Sequence, residues 1–136
     1  VISDKDRTFY LDVAHRAAQR SVAERLQVGA VIVSVDHVNA VGYNGTPAGW
    51  DNDCEDADGL TKPEVIHAEM NALAKFQNSG LSPKGSTMFI THAPCIECSK
   101  AMFLAGVRAV YYAKDYRSMT GPEFLRKAKI DVIKQE

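Results

Sequence analysis

The apolar positions change period several times along the chain, and each change marks an element. Tyr10, Val13, Ala14 and Ala17 recur at helical spacing within 6–22, with Asp4 as the candidate N-cap. Val28-Gly29-Ala30-Val31-Ile32-Val33 is a nearly continuous apolar run, which predicts a strand buried on both faces. Ser34-Val35-Asp36-His37 reads as a turn into a second, antiparallel strand from Val38 to Tyr43. Asn44-Gly45-Thr46-Pro47-Ala48-Gly49 then opens a loop that stays polar and acidic from Trp50 to Pro63. Ala68, Ala72, Leu73 and Phe76 predict a helix from about Glu64 to Gln77, ended by Gly80.

In the second half, Ser86 to Thr91 reads as a strand. Pro94 opens a helix to Ala105 that Gly106 caps, and Val107 to Ala113 reads as a buried strand. A helix over 120–129 and a short strand over 130–133 complete the chain. This order, α-β-β-α-β-α-β-α-β, predicts an α/β fold: a three-layer α/β/α sandwich around a five-stranded mixed sheet. There is no repeat, linker or low-complexity tract, so residues 1–136 are expected to form a single domain.

Charge and cysteine content narrow the chemistry. The formal net charge is −1 and no Lys/Arg run occurs, which argues against a nucleic-acid polymer as partner. A small substrate with one phosphate needs only one or two cations. No apolar stretch approaches the ~20 residues of a membrane span. The start, Val1-Ile2-Ser3-Asp4-Lys5, lacks a signal-peptide apolar region, so a cytoplasmic location and no membrane partner are expected. Cys95 and Cys98 form a C-x-x-C, and Cys54 is the third cysteine. Such a pair reads as metal-binding or redox rather than as a disulfide framework.

His67-Ala68-Glu69 and Pro94-Cys95-Ile96-Glu97-Cys98 turn that reading towards a metal. The order H-x-E … P-C-x-x-C is the signature of zinc nucleobase deaminases. Cys95 and Cys98 share a helix face in a first turn, where the backbone field favours thiolates. His67 and Glu69 are two apart, so on a mid-helix they would diverge. They converge only if His67 stands at a helix N-terminus with the metal just beyond it. One neutral imidazole and two thiolates balance a Zn²⁺ charge and leave a fourth position for water, with Glu69 as the proton shuttle. Cys54 is the alternative fourth ligand; a closed set of that kind would make the zinc structural. His15 and His37 are not strong ligand candidates.

On these motifs the chain resembles the compact deoxycytidylate deaminases of phages and bacteria, in the cytidine deaminase superfamily. The resemblance runs at least from Arg20 to Tyr116. It extends to Gln27-Val28-Gly29-Ala30-Val31-Ile32-Val33 and to Gly42-Tyr43-Asn44-Gly45-Thr46-Pro47-Ala48-Gly49, similar to the family's first strand and nucleotide-binding loop. It implies hydrolysis of dCMP to dUMP, the precursor of dTMP. Asn44 is then expected to meet the sugar and the nucleotide's polar edge, although Asn-Gly alone also suits a hairpin turn. The Ala68 N–H is expected to meet the pyrimidine carbonyl, and carbonyls around His92 and Ala93 the amino group. His92 alone reads equally as an end-of-strand histidine. Arg25 is expected to hold the phosphate with Ser21 and Tyr116, and Arg117 and Arg20 are further cations.

The resemblance also implies a homo-hexamer, activated by dCTP and inhibited by dTTP, with Mg²⁺ accompanying the effector. Gly45, Trp50, Asp51, Asp53 and Glu55 lie in the region similar to the effector site; a solvated acidic loop is the alternative. Some relatives carry a second, structural zinc, but position 21 here is Ser rather than Cys. Two other functions remain open at this point. One is a nucleoside or tRNA adenosine deaminase on the same scaffold. The other is a structural zinc module without catalysis, in which Glu69 would have no use.

Overall fold

The computed structural model describes residues 2–135; Val1 and Glu136, the ends of the expected unit, lie outside the described residues. The elements are α1 (Asp4–Ala18), β1 (Gly29–Val33), β2 (Asn39–Tyr43), α2 (Ala68–Asn78), β3 (Thr87–His92), α3 (Ile96–Ala105), β4 (Ala109–Lys114), α4 (Thr120–Lys127) and β5 (Asp131–Lys134). The strands form one sheet in the order β2-β1-β3-β4-β5. β1 is antiparallel to β2 and β3, whereas β3, β4 and β5 are parallel. The mixture follows from the connections: a tight turn joins β1 to β2, and the crossover helices α3 and α4 join the parallel strands.

The layers can be read from β1. Val31 and Val33 pack with Tyr10, Leu11 and Ala14 of α1. Ala30 and Ile32 face the other way, among Ala72, Leu73 and Phe76 of α2. All five β1 residues are therefore buried, as the continuous apolar run predicts. Met102 of α3 and Leu125 of α4 extend the α2 side of the core. α2 lies directly on the backbone of β2. A Cβ at Gly42 would stand 2.4 Å from the Ala68 carbonyl oxygen and 2.5 Å from the Ala72 nitrogen.

Several boundaries differ from the sequence pattern, Pro94 among them: it precedes the N-cap of α3, Cys95, rather than opening the helix. Ser3 caps α1 instead of Asp4, its Oγ accepting from the Asp6 N–H at 3.2 Å, and α1 ends at Ala18 rather than near residue 22. α2 begins at Ala68, not Glu64. Ile66 is held extended by exchanging two backbone hydrogen bonds with Gly45, at 3.1 and 2.8 Å. The acidic segment after Trp50 is not a free loop. Lys62 N–H donates to the Cys54 carbonyl, Glu55 bridges to Thr61, and Asp56 N–H donates to the Leu60 carbonyl. This folds 54–62 into a small hairpin with Cys54 buried. Among the described residues no helix is long and apolar enough to cross a membrane.

Candidate active site

α2 and α3 start at the same place. His67 is the N-cap of α2 and Cys95 the N-cap of α3, both with extended backbone. The Gly45–Ile66 pairing delivers His67 to the helix end, so His67 and Glu69 converge despite their spacing. His67 Nδ1 lies 3.5 Å from Cys95 Sγ and 3.4 Å from Cys98 Sγ. Tetrahedral zinc with ordinary bond lengths places nitrogen and sulfur ligands ~3.5 Å apart, so the donor set fits that ion. Among the described residues this is the only His/Cys/Asp/Glu group whose ligand atoms gather closely enough to hold an ion. Cys54 is not in it, so an ion held here would have three protein ligands and a fourth position open.

The cluster polarises its own members. The Cys95 thiol is pushed down to about 4, first by the hydrogen bond from the Cys98 thiol and also by His67 and the Cys98 N–H. Cys98 is pushed up by the same contact and by burial. His67 is raised chiefly by its hydrogen bond to Cys95. Glu69 is 5% exposed, and burial pushes its carboxyl up to about 7. A carboxyl that exchanges its proton near neutrality suits acid–base work, and a divalent ion beside it favours its ionised form.

His67, Cys95 and Glu69 line a cavity of about 830 Å³, with Cys98 buried behind them. It opens at the C-terminal ends of β3 and β4, where His92 pairs with Lys114. Arg25, Asn44, Ala68, Ala93 and Tyr116 also line it. Asn44 is tied to the chain: its Oδ1 accepts from Val28 N–H at 2.9 Å and its Nδ2 donates to the Leu26 carbonyl at 2.8 Å. One N–H and one lone pair of that amide remain for a ligand. His92 Nδ1 meets Thr91 Oγ1 at 2.9 Å, and burial, followed by the Lys114 charge, lowers its pKa and favours the neutral imidazole.

Ser21 does not line the cavity. Its hydroxyl is buried, donating to the Asn44 carbonyl at 2.9 Å and receiving the Ala23 N–H at 3.2 Å. Its work is to brace the Asn44 turn, so the structure does not support it as a phosphate contact. The five effector candidates do not converge either. Gly45 is paired with Ile66, and Trp50 and Asp53 are exposed. Asp51 lies 3.6 Å from Lys62, and Glu55 accepts the N–H groups of Glu24 and Arg25. No oxygen cluster for Mg²⁺ is assembled among these residues.

Cys54 and Arg117 take places other than those first considered, and further residues enter that the sequence did not single out. Leu60, Thr61 and Cys54 bring the hairpin to the cavity wall, and Lys114 adds a cation. The Arg117 guanidinium lies 5.4 Å over the Tyr116 ring. Behind the metal cluster, Ser99 Oγ donates to the Cys95 carbonyl at 2.8 Å. Gly121 of α4 approaches the preceding peptide, Pro94–Cys95, so closely that a Cβ would stand 2.0 Å from the Pro94 oxygen. No periodicity announces these positions, because they depend on which loops and helices meet.

Two helix N-termini closing on a His–Cys–Cys set, with a buried carboxyl beside an open position, have the make-up of a catalytic zinc site. Comparison with known proteins gives the family. Residues 4–114 match the cytidine and deoxycytidylate deaminase zinc-binding region, and the chain belongs to that family. The crystal structure of dCMP deaminase from the cyanophage S-TIM5, in complex with dCMP and dUMP, is similar at a TM-score of 0.95 and 40% identity, covering 99% of this chain and 100% of that one. Deoxycytidylate deaminase of Mycobacterium phage D29 is 36% identical over 121 residues, 79% of this chain and 93% of the relative. ComE operon protein 2 of Bacillus subtilis is 40% identical over 114 residues, 81% of this chain; the match spans 60% of that relative's length.

Proposed function

We propose that this chain is a zinc-dependent dCMP deaminase, converting dCMP and water to dUMP and ammonia and so supplying the dTMP precursor. The observation that carries the reading is a single cavity lined by His67, Glu69 and Cys95 of the metal-binding group and by the cations Arg25, Lys114 and Arg117. A base seated at the first group leaves a 5′-phosphate for the second. The S-TIM5 enzyme, similar over nearly the whole chain, holds dCMP and dUMP.

His67, Cys95 and Cys98 would hold the zinc, which supplies Lewis acidity that makes water nucleophilic at neutral pH. Glu69 takes one proton of the attacking water and delivers it to the ring nitrogen, then takes the second from the new C4 hydroxyl and delivers it to the leaving amine. The C4–O bond forms, the C4–N bond breaks, and ammonia departs. The Ala68 N–H, at the start of α2, would donate to the pyrimidine carbonyl. Carbonyls at His92 and Ala93 accept from the amino group and orient it. Asn44 offers its remaining N–H to the sugar, and Arg25 and Tyr116 take the phosphate. A homo-hexamer and control by dCTP and dTTP belong to this reading by family resemblance.

The test is Arg25→Ala, assayed with dCMP and deoxycytidine. Loss of a charge-assisted phosphate contact is expected to lower kcat/KM for dCMP roughly ten- to a hundredfold, with a much smaller effect on deoxycytidine. Equal losses on both substrates would remove Arg25 from the phosphate site.

A further inference from the structure

Arg25 is an exposed side chain in the segment between α1 and β1, with no helix or strand of its own to hold it. Its surroundings are nevertheless specific. The Glu55 carboxylate reaches across from the 54–62 hairpin and accepts two successive backbone N–H groups. Glu24 N–H donates to its two oxygens at 3.3 and 3.2 Å, and Arg25 N–H donates to Oε2 at 3.3 Å. On the same hairpin, Thr61 is paired with Glu55, and its Oγ1 accepts from Arg25 Nη1 at 3.4 Å. Main chain and guanidinium of one arginine are thus gripped by two residues that face each other across one hairpin. Arg25 and Thr61 both line the cavity.

We propose that Glu55 is a positioning residue for nucleotide binding: with Thr61 it holds Arg25 in place to receive the substrate's phosphate. This rests on the dCMP reading above and adds a residue whose contact with the nucleotide is indirect. The chemistry favours a carboxylate in this place. One carboxylate can accept from two adjacent N–H groups at once, and a charged acceptor makes the stronger bonds. The segment that looked like a solvated acidic loop is then the second wall of the phosphate site. An arginine held in advance loses less freedom when the phosphate arrives, which lowers KM more than it raises kcat.

The experiment is a double-mutant cycle on the zinc-loaded enzyme, with Glu55→Ala and Arg25→Ala alone and together. It reads the ratio of kcat/KM for dCMP to that for deoxycytidine. Glu55→Ala is expected to lower this ratio about tenfold, mainly through KM for dCMP. In the Arg25→Ala background the same change is expected to lower it no further, because the group it positions is gone. Equal losses on both substrates would show a merely structural carboxylate and overturn the proposal. Independent, multiplying losses in the double variant would also overturn it. If Arg25→Ala alone leaves the ratio intact, the phosphate assignment itself falls, which separates the two failures. Should Glu55→Ala not fold, Glu55→Gln keeps one acceptor and carries the same cycle, with a smaller drop in the ratio expected and the same outcomes deciding.

Discussion

Adding one methyl group at Gly121 is expected to reach the metal cluster through the backbone. The Cβ of an alanine there would stand 2.0 Å from the Pro94 carbonyl oxygen, 2.7 Å from Ser99 Oγ and 2.9 Å from the Cys95 carbonyl carbon. An ordinary carbon–oxygen contact needs ~3.3 Å, so α4 or the Pro94–Cys95 peptide must shift by more than ~1 Å. Zinc ligands tolerate only ~0.2 Å. Overpacking of this kind costs ~1–3 kcal/mol. If the start of α3 gives way, zinc affinity falls roughly ten- to a hundredfold; if α4 gives way, Tm falls by roughly 4–12 °C. Helix propensity has the opposite sign, since alanine is favoured over glycine inside a helix by up to ~1 kcal/mol. The assay is zinc competition against a chromophoric chelator alongside thermal unfolding of Gly121→Ala. Unchanged zinc affinity with an unchanged or higher Tm would refute the close approach of α4 to the start of α3.

Glu69→Gln and Cys95→Ala should separate acid–base work from metal binding. The first is expected to keep stoichiometric zinc and lose turnover by ~100-fold or more, the second to lose both, as metal analysis and dCMP turnover will show. Ser21→Ala should lower stability by ~1–2 kcal/mol in urea unfolding while leaving the dCMP/deoxycytidine preference as it is, because its hydroxyl braces Ala23 and Asn44 behind the wall. A loss of preference for dCMP in that variant would return Ser21 to the phosphate site.

The parts of this account that the sequence disclosed are those with a local rule behind them. The unbroken apolar run of β1 required a strand covered on both faces, and α1 and α2 cover it. The two-residue spacing of His67 and Glu69 required a helix N-terminus, although the apolar pattern alone placed that terminus near Glu64. What moved it was the pairing of Ile66 with Gly45, a contact between segments about twenty residues apart that no periodicity records. Ser21 was misplaced for the same reason: its fate depends on the Asn44 carbonyl, which only the fold brings near. Gly121, Ser99 and Lys114 carry no motif. Glu55 stood out as one acid among several in a polar stretch, and only the hairpin shows that it turns inward to Glu24 and Arg25.

The most direct test of the central claim is turnover by the purified, zinc-loaded protein of dCMP, deoxycytidine and dCTP, followed by loss of the cytosine absorbance and release of ammonia. The account predicts efficient conversion of dCMP to dUMP, with deoxycytidine poorer by roughly tenfold or more for want of the phosphate contact. Outright preference for deoxycytidine, or no deamination of any of the three by protein carrying one zinc per chain, would contradict it.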